Sequence, residues 1–291
     1  MEINRRTLLK TIAAGTAAAA APAAQAREKK TAPPDAMGIL YDATRCIGCK
    51  ACMVACKQAN NLASSPESRR GLYDDPVLLS AYAKTLVKEY RSENTFAYVK
   101  SQCMHCIDPA CVGACMLGAL KKREHGAVTW EASRCIGCRY CQVACPFDIP
   151  KFEWAKAFPK LVKCEMCAPL LAKGQAPACA QVCPRQATVF GKYTDLLERA
   201  HRRLAAEPKR YFPKVYGEND AGGTQVLYLS KADVSFEELG LPALGSKPVP
   251  ELQQAMQSTV YYGFLGPAAL YAALAAVLWR NRKKQREEAE S

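Results

Sequence analysis

Histidine is scarce in this chain, with three in 291 residues. The sequence offers no nucleophile–base set, no phosphate-cradling loop and no open metal site, so the chain itself is expected to transform no substrate. No nucleic-acid recognition motif accompanies the net charge of +13, which sets nucleic acid aside as a partner. Charge is missing from the whole of residues 259–279, TVYYGFLGPAALYAALAAVLW. As a helix this run would be about 31 Å long, a match to bilayer hydrocarbon. Tyr261 and Tyr262 mark one interface, Trp279 marks the other, and the basic RNRKKQR follows. The expectation is one transmembrane helix over 259–279 and a basic cytoplasmic tail over 280–291.

The opposite end gives the orientation. NRRTLLKTIAAGTAAAAAPAAQA joins Arg5 and Arg6 to a weakly apolar, alanine-rich stretch, with AQA at 24–26. It resembles a twin-arginine (Tat) signal, and residues 1–26 are read as one. That route exports proteins already folded, so a cofactor is inserted in the reducing cytoplasm first. The expected location is the periplasmic side of the inner membrane, anchored by a single pass.

What the chain has in excess is cysteine, with sixteen. They fall into four motifs of four: Cys46, Cys49, Cys52, Cys56; Cys103, Cys106, Cys111, Cys115; Cys135, Cys138, Cys141, Cys145; and Cys164, Cys167, Cys179, Cys183. None is left over. Residues 42–57, DATRCIGCKACMVACK, and 131–146, EASRCIGCRYCQVACP, share 10 of 16 positions, an internal duplication. The C-x2-C-x2-C-x3-C run is the bacterial ferredoxin pattern, in which three cysteines hold one [4Fe–4S] cluster and the fourth reaches another. Zinc sites use two short cysteine pairs. The last motif alone reads that way; the triple-plus-one runs do not.

Short strands flank the motifs at 38–42, 96–100, 127–131 and 188–192. The fold class is therefore α+β, with duplicated bacterial-ferredoxin-like modules. Four oxidised cubanes with their thiolates would carry about −2 each. That accounts for the excess of +9 over residues 27–258. Basic residues beside the cysteines (Arg45, Lys50, Lys57, Arg134, Arg139 and Lys163) are expected to balance cluster charge, with Lys57, Arg139 and Lys163 the leading candidates for tuning potentials.

The segments GILYDATRCIGCKACMVAC, FAYVKSQCMHCIDPAC, RCIGCRYCQVACPFDIPKFEW, KCEMC and VYGENDAGGTQVLYLS, with the terminal span, carry a resemblance over nearly the whole chain after residue 26. The chain resembles the four-cluster iron–sulfur subunits of the dimethyl sulfoxide reductase and formate dehydrogenase group. Within that group it is most similar to the electron-transfer subunits of periplasmic hydrogenase-2-type [NiFe] hydrogenases. The resemblance implies that motifs one and four pair, as do two and three. Cys46, Cys49, Cys52 and Cys183 would hold the first cluster, and Cys56, Cys164, Cys167 and Cys179 the second. Cys103, Cys106, Cys111 and Cys145 would hold the third, and Cys115, Cys135, Cys138 and Cys141 the fourth. It also implies the partners: the small and large subunits of a [NiFe] hydrogenase and an integral-membrane, quinone-interacting subunit. The alternative is the same relay on a periplasmic formate dehydrogenase or another molybdenum or tungsten oxidoreductase. A zinc-bound membrane scaffold is the reading from a different class.

Proline follows Cys145 and Cys183, whereas Lys57 follows Cys56 and Met116 follows Cys115. His105, inside CMHC, is read as packing or hydrogen bonding near a cluster. The expected plan places the four-cluster domain over 27–192, with an insertion at 57–95 in which DDPVLLSAYAKTLVKEYR is read as an amphipathic helix. An extension and linker follow over 193–258, basic and loop-rich at first.

Overall fold

The computed structural model describes residues 30–65, 78–154, 156 and 159–289, with the side chains of 251–262, 265 and 284 left out. The chain divides into two compact units, the body Lys29–Pro250 and a unit that holds the last helix. In chain order the body contains β1 (Met37–Asp42), α1 (Ala51–Ala59), β2 (Leu86–Arg91), β3 (Phe96–Ser101), α2 (Ala110–Gly113), β4 (Leu120–Lys122), β5 (Val128–Trp130), α3 (Tyr140–Val143), β6 (Lys151–Phe152) and β7 (Leu161–Val162). It continues through α4 (Ala168–Leu171), α5 (Ala178–Gln181), β8 (Thr188–Lys192), α6 (Tyr193–Ala206) and β9 (Val226–Leu229). α7 (Val249–Ala289) ends the described chain.

β1 is the centre of the body. GILYD is apolar at consecutive positions because both faces of the strand are covered. It pairs antiparallel with β8, Leu40 opposite Val189, and parallel with β9, Tyr41 opposite Tyr228. Ile39 and Tyr41 pack on one face with Val226, Tyr228, Met104 and Met166. Leu40 packs on the other with Leu227 and Leu229. α6 covers that second face through Tyr193, Leu196 and Ala200, spaced three and four apart on one side of the helix. Each large apolar side chain so buried contributes about 1.5–3 kcal/mol. A buried carboxylate ties α6 to β1: Arg203 Nη1 donates to Asp42 Oδ2 at 2.7 Å, and Tyr211 Oη donates to the same oxygen at 3.0 Å.

The strands read from the sequence at 38–42, 96–100, 127–131 and 188–192 are β1, β3, β5 and β8, within a residue or two. Two other expectations change. The amphipathic helix read over 74–91 is not one: residues 86–91 form β2, which pairs with β3 in a hairpin, Leu86 opposite Ser101 and Val87 opposite Lys100. Burial of Leu86 and Val87 against a strand already present outweighs weak helix propensity. Residues 74–77 lie outside the described residues. The stretch after 192 is not loop-rich at its start, since α6 takes up 14 residues. Through α6 and β9 it packs into the same body as the cysteine motifs.

The read signal, 1–26, lies outside the described residues. The expected span 259–279 falls on α7, a helix of 41 residues with Pro267 inside it. The side chains of 259–262 and 265 are among those left out. Among the described residues no helix is long and apolar enough to cross a membrane, so the expected span finds no support there. Phe264, Leu270, Tyr271, Leu274, Leu278 and Trp279 are exposed on α7.

Candidate metal-cluster site

The four cysteine motifs share one backbone device. The residue before the second cysteine is left-handed in every motif: Gly48 (φ 68°), His105 (φ 48°), Gly137 (φ 72°) and Met166 (φ 55°). This turn curls the loop around the space its cysteines face. Glycine occupies the position without strain in the duplicated motifs, while a non-glycine residue there costs about 1–2 kcal/mol. His105 and Met166 are both fully buried, and packing holds them. The duplicated loops share a second left-handed position at Lys50 and Arg139, each just before its helix.

A second device follows the fourth cysteine. After Cys115, Cys145 and Cys183 the chain turns through a left-handed residue three positions on, at Gly118, Asp148 and Gln186. Each of these donates its N–H to the carbonyl of its cysteine, at 3.0, 3.1 and 3.1 Å. The next amide then points at the sulfur: Ala119 N–H to Cys115 Sγ and Ala187 N–H to Cys183 Sγ, each at 3.2 Å. Motif one departs from this. α1 runs nine residues, against four for the other motif helices, and passes through Lys57 to Ala59. Proline inside that helix would lose an N–H bond and clash with the preceding turn, at a cost of about 3 kcal/mol. Lysine stands there because the backbone is helical. The amide that the turn supplies elsewhere comes from a side chain: Asn60 Nδ2 lies 3.7 Å from Cys56 Sγ and 3.9 Å from Cys167 Sγ.

The topology brings the cysteines together in quartets. Cys46, Cys49 and Cys52 line one small cavity with Cys183. Cys56 lines another with Cys164, Cys167 and Cys179. Cys115 lines a third with Cys135, Cys138 and Cys141. The sulfurs that neighbour Cys106 are those of Cys103, Cys111 and Cys145. Among the described residues no group of three or more His, Cys, Asp or Glu side chains closes on a point, as a single bound ion requires. Successive quartets also touch electrostatically: Cys52 with Cys179, Cys164 with Cys103, and Cys111 with Cys141. The quartets thus form a row. Cys49 and Cys138 are exposed at its two ends, and Cys56, Cys103, Cys111, Cys141, Cys164, Cys167 and Cys179 are buried.

Burial is the largest influence on these thiols. It pushes Cys52 and Cys145 up to about 11, and Cys56, Cys111 and Cys141 up to about 12; repulsion between neighbouring sulfurs adds to the rise at each. Four thiolates can share one buried space only around positive charge, as iron in a cluster supplies, so this donor set fits [4Fe–4S] binding. The protein's own cations point the same way. Lys100 is fully buried, its Nζ bonds no oxygen or nitrogen, and it lies against the sulfur of Cys179 with those of Cys52 and Cys164 nearby. Lys84 Nζ bridges Asn60 Oδ1 and Glu165 Oε2, each at 3.0 Å. Lys122 Nζ donates to the carbonyls of His105 and Cys106 at 3.0 and 2.8 Å, and burial draws its ammonium down to about 8.

Of the residues expected to balance charge, Lys163 is buried, with Nζ on the carbonyls of Val128 and Cys164. Arg139 lies beside the Cys115 quartet, its guanidinium 3.8 Å from the centre of the Trp154 ring. Lys57 Nζ reaches Ser64 Oγ at 3.4 Å, while the cations acting on Cys56 are Lys100 and Lys84. Arg134 is half-exposed and pairs with Glu131 at 3.1 Å. His105 Nδ1 accepts the Val128 N–H at 3.0 Å, and burial followed by Lys163 and Lys122 holds its pKa well below the usual range, so the ring is neutral. Lys84, Asn60, Lys100 and Lys122 were not singled out in the sequence. Only the fourfold cysteine spacing signalled a site there, and a lysine ending the strand FAYVK reads as surface.

Two family models match the chain, a 4Fe-4S dicluster domain over residues 94–193 and a 4Fe-4S binding domain over 37–58. The chain is 35% identical to the hydrogenase-2 operon protein HybA of Escherichia coli O157:H7, over 98% of each chain. It is 38% identical to the iron–sulfur subunit of the nitrate-inducible formate dehydrogenase of Escherichia coli strain K12, over 70% of this chain and 71% of the relative. It is 36% identical to the formate dehydrogenase iron–sulfur subunit of Haemophilus influenzae, over 76% of this chain and 72% of the relative.

Proposed function

The chain belongs to the family of ferredoxin-type [4Fe–4S] electron-transfer subunits that those relatives represent, and from that premise we propose a four-cluster relay serving a [NiFe] hydrogenase. Full-length similarity to the hydrogenase-2 operon protein is the observation that carries the choice of partner, since the formate dehydrogenase subunits align over 70–76% of the chain. The family's role is electron transfer, and the chain is not itself catalytic.

Clusters held by these cysteines would supply one-electron transfer. The cysteines would hold four clusters in the quartets named above, Cys46/Cys49/Cys52/Cys183, Cys56/Cys164/Cys167/Cys179, Cys103/Cys106/Cys111/Cys145 and Cys115/Cys135/Cys138/Cys141. The row of quartets supports the order one, two, three, four along the relay. Cys49 and Cys138, exposed at its two ends, would lie where electrons enter and leave. The amides on Cys115, Cys183, Cys56 and Cys167 favour charged sulfur. Arg139 and Lys163 are the tuning residues of this reading, Lys163 the more buried, whereas Lys57 reaches Ser64. Exposed apolar residues surround each end, Ile47 and Val54 by the first quartet and Met116, Ile136, Tyr140 and Val143 by the fourth. Such patches suit subunit contacts.

The reading extends to location. A Tat signal over 1–26 would deliver the loaded protein to the periplasm, and the uncharged run 259–279 would anchor it beside a quinone-reducing membrane subunit. The apolar side chains exposed along α7 support a covered helix.

Purification of the chain from membranes with its native partners tests the assignment. Nickel and hydrogen-dependent reduction of the clusters are expected. Molybdopterin and formate-dependent reduction would transfer the same relay to the formate dehydrogenase reading, which the 38% relative favours.

A further inference from the structure

Among the lysines that reach the cysteine quartets, three with little exposure have acceptors of their own. Lys163 and Lys122 are bonded to main-chain carbonyls. Lys84 is paired with Glu165 and Asn60. Lys100 differs. It leaves β3 opposite Val87, is 0% exposed, and its Nζ bonds no oxygen or nitrogen; it faces the sulfur of Cys179. An ammonium withdrawn from water without an anion costs several kcal/mol. Its charge neighbours are Cys179 and Cys164 of the second quartet and Cys52 of the first. Seen from the cysteines, Lys100 acts on both Cys52 and Cys56. Two more polar side chains are buried without partners at the edge of the second cavity, Thr85 Oγ1 and the Gln102 amide.

We propose that Lys100 is the shared counter-ion of the first and second clusters, a positioning residue that holds both reduction potentials up together. The inference rests on the four-cluster reading above. A fixed positive charge stabilises the reduced, more negative state of a cluster, and does so strongly where water is excluded. One ammonium between two clusters acts on both. It ties the first two steps of the relay to a single side chain, whereas Lys122 and Lys163 lie toward the third quartet, acting on Cys106 and Cys111.

The test is an EPR-monitored redox titration of the full chain in its membrane-extracted complex, for wild type, Lys100→Met and Lys100→Gln. Two of the four one-electron steps are expected to move to lower potential while the other two stay in place. A tenfold fall in the reduced-to-oxidised ratio at fixed potential, about 59 mV for one electron, is the size expected. Unchanged potentials in both variants, a shift in one step alone, or an equal shift in all four would overturn the proposal. If Lys100→Met assembles incompletely, loss confined to two clusters supports the shared role, and loss of all four with unshifted potentials in Lys100→Gln overturns it. The wild-type iron count is read separately. A count well short of four clusters would refute the four-cluster reading and not the role of the lysine.

Discussion

Lys57 occupies the position where two other motifs carry proline, and the reason lies in the main chain. α1 continues through Lys57, and the turn found after Cys115, Cys145 and Cys183 is absent there. Lys57→Pro is expected to destabilise the loaded protein by about 3 kcal/mol, read as a lower thermal midpoint. An unchanged midpoint would show that the helix does not depend on that residue. Asn60 is the matching gain: its side-chain amide serves Cys56 and Cys167 where a main-chain amide serves the others. Asn60→Leu is expected to lower the potential of the second cluster alone, measured by redox titration, because a donor that favours the negative sulfur is lost. At this scale the sixteen cysteines were legible because their spacing is a pattern. The buried lysines were not, since what distinguishes Lys100 is a set of sulfurs 48 or more positions away in the chain.

Among elements, the cysteine loops depend on left-handed turns, and the two duplicated glycines should not be equivalent. A Cβ on Gly48 would lie 2.5 Å from the Tyr98 ring, whereas one on Gly137 would come no closer than 3.4 Å, to Pro159. Both substitutions to alanine carry a cost for positive φ of about 1–2 kcal/mol. Gly48→Ala is expected to cost clearly more than Gly137→Ala in thermal stability, and equal losses would mean that Tyr98 yields freely. α6 is held to β1 through Asp42, so Arg203→Leu leaves a buried carboxylate with Tyr211 and Thr44 as its remaining side-chain partners. The expected loss is about 3–5 kcal/mol, seen in denaturant unfolding of the loaded body. β1, β3, β5 and β8 were readable as short apolar runs bounding the motifs. β2 was not, because Leu86 and Val87 are consecutive and the 74–91 stretch mimics a helical period. α6 was not, because only Tyr193, Leu196 and Ala200 are buried on it, amid charged residues.

For the whole molecule, the arrangement is a row of quartets with exposed ends, set in a basic chain. The excess of +9 over residues 27–258 is the charge that the proposed four anionic centres would call for. The sequence conveyed the sum of that charge. Its distribution, with lysines buried between quartets and arginines such as Arg134 at the surface, depends on folding. The full chain is expected to stay with the membrane pellet through an alkaline carbonate wash, and its release would argue against a span at 259–279. The most direct measurement of the central claim is iron and acid-labile sulfide per chain, with EPR of the dithionite-reduced protein. The account predicts about 16 of each and the broadened spectrum of neighbouring, magnetically interacting cubanes. Zinc without labile sulfide, or spectra of one or two isolated clusters, would contradict it.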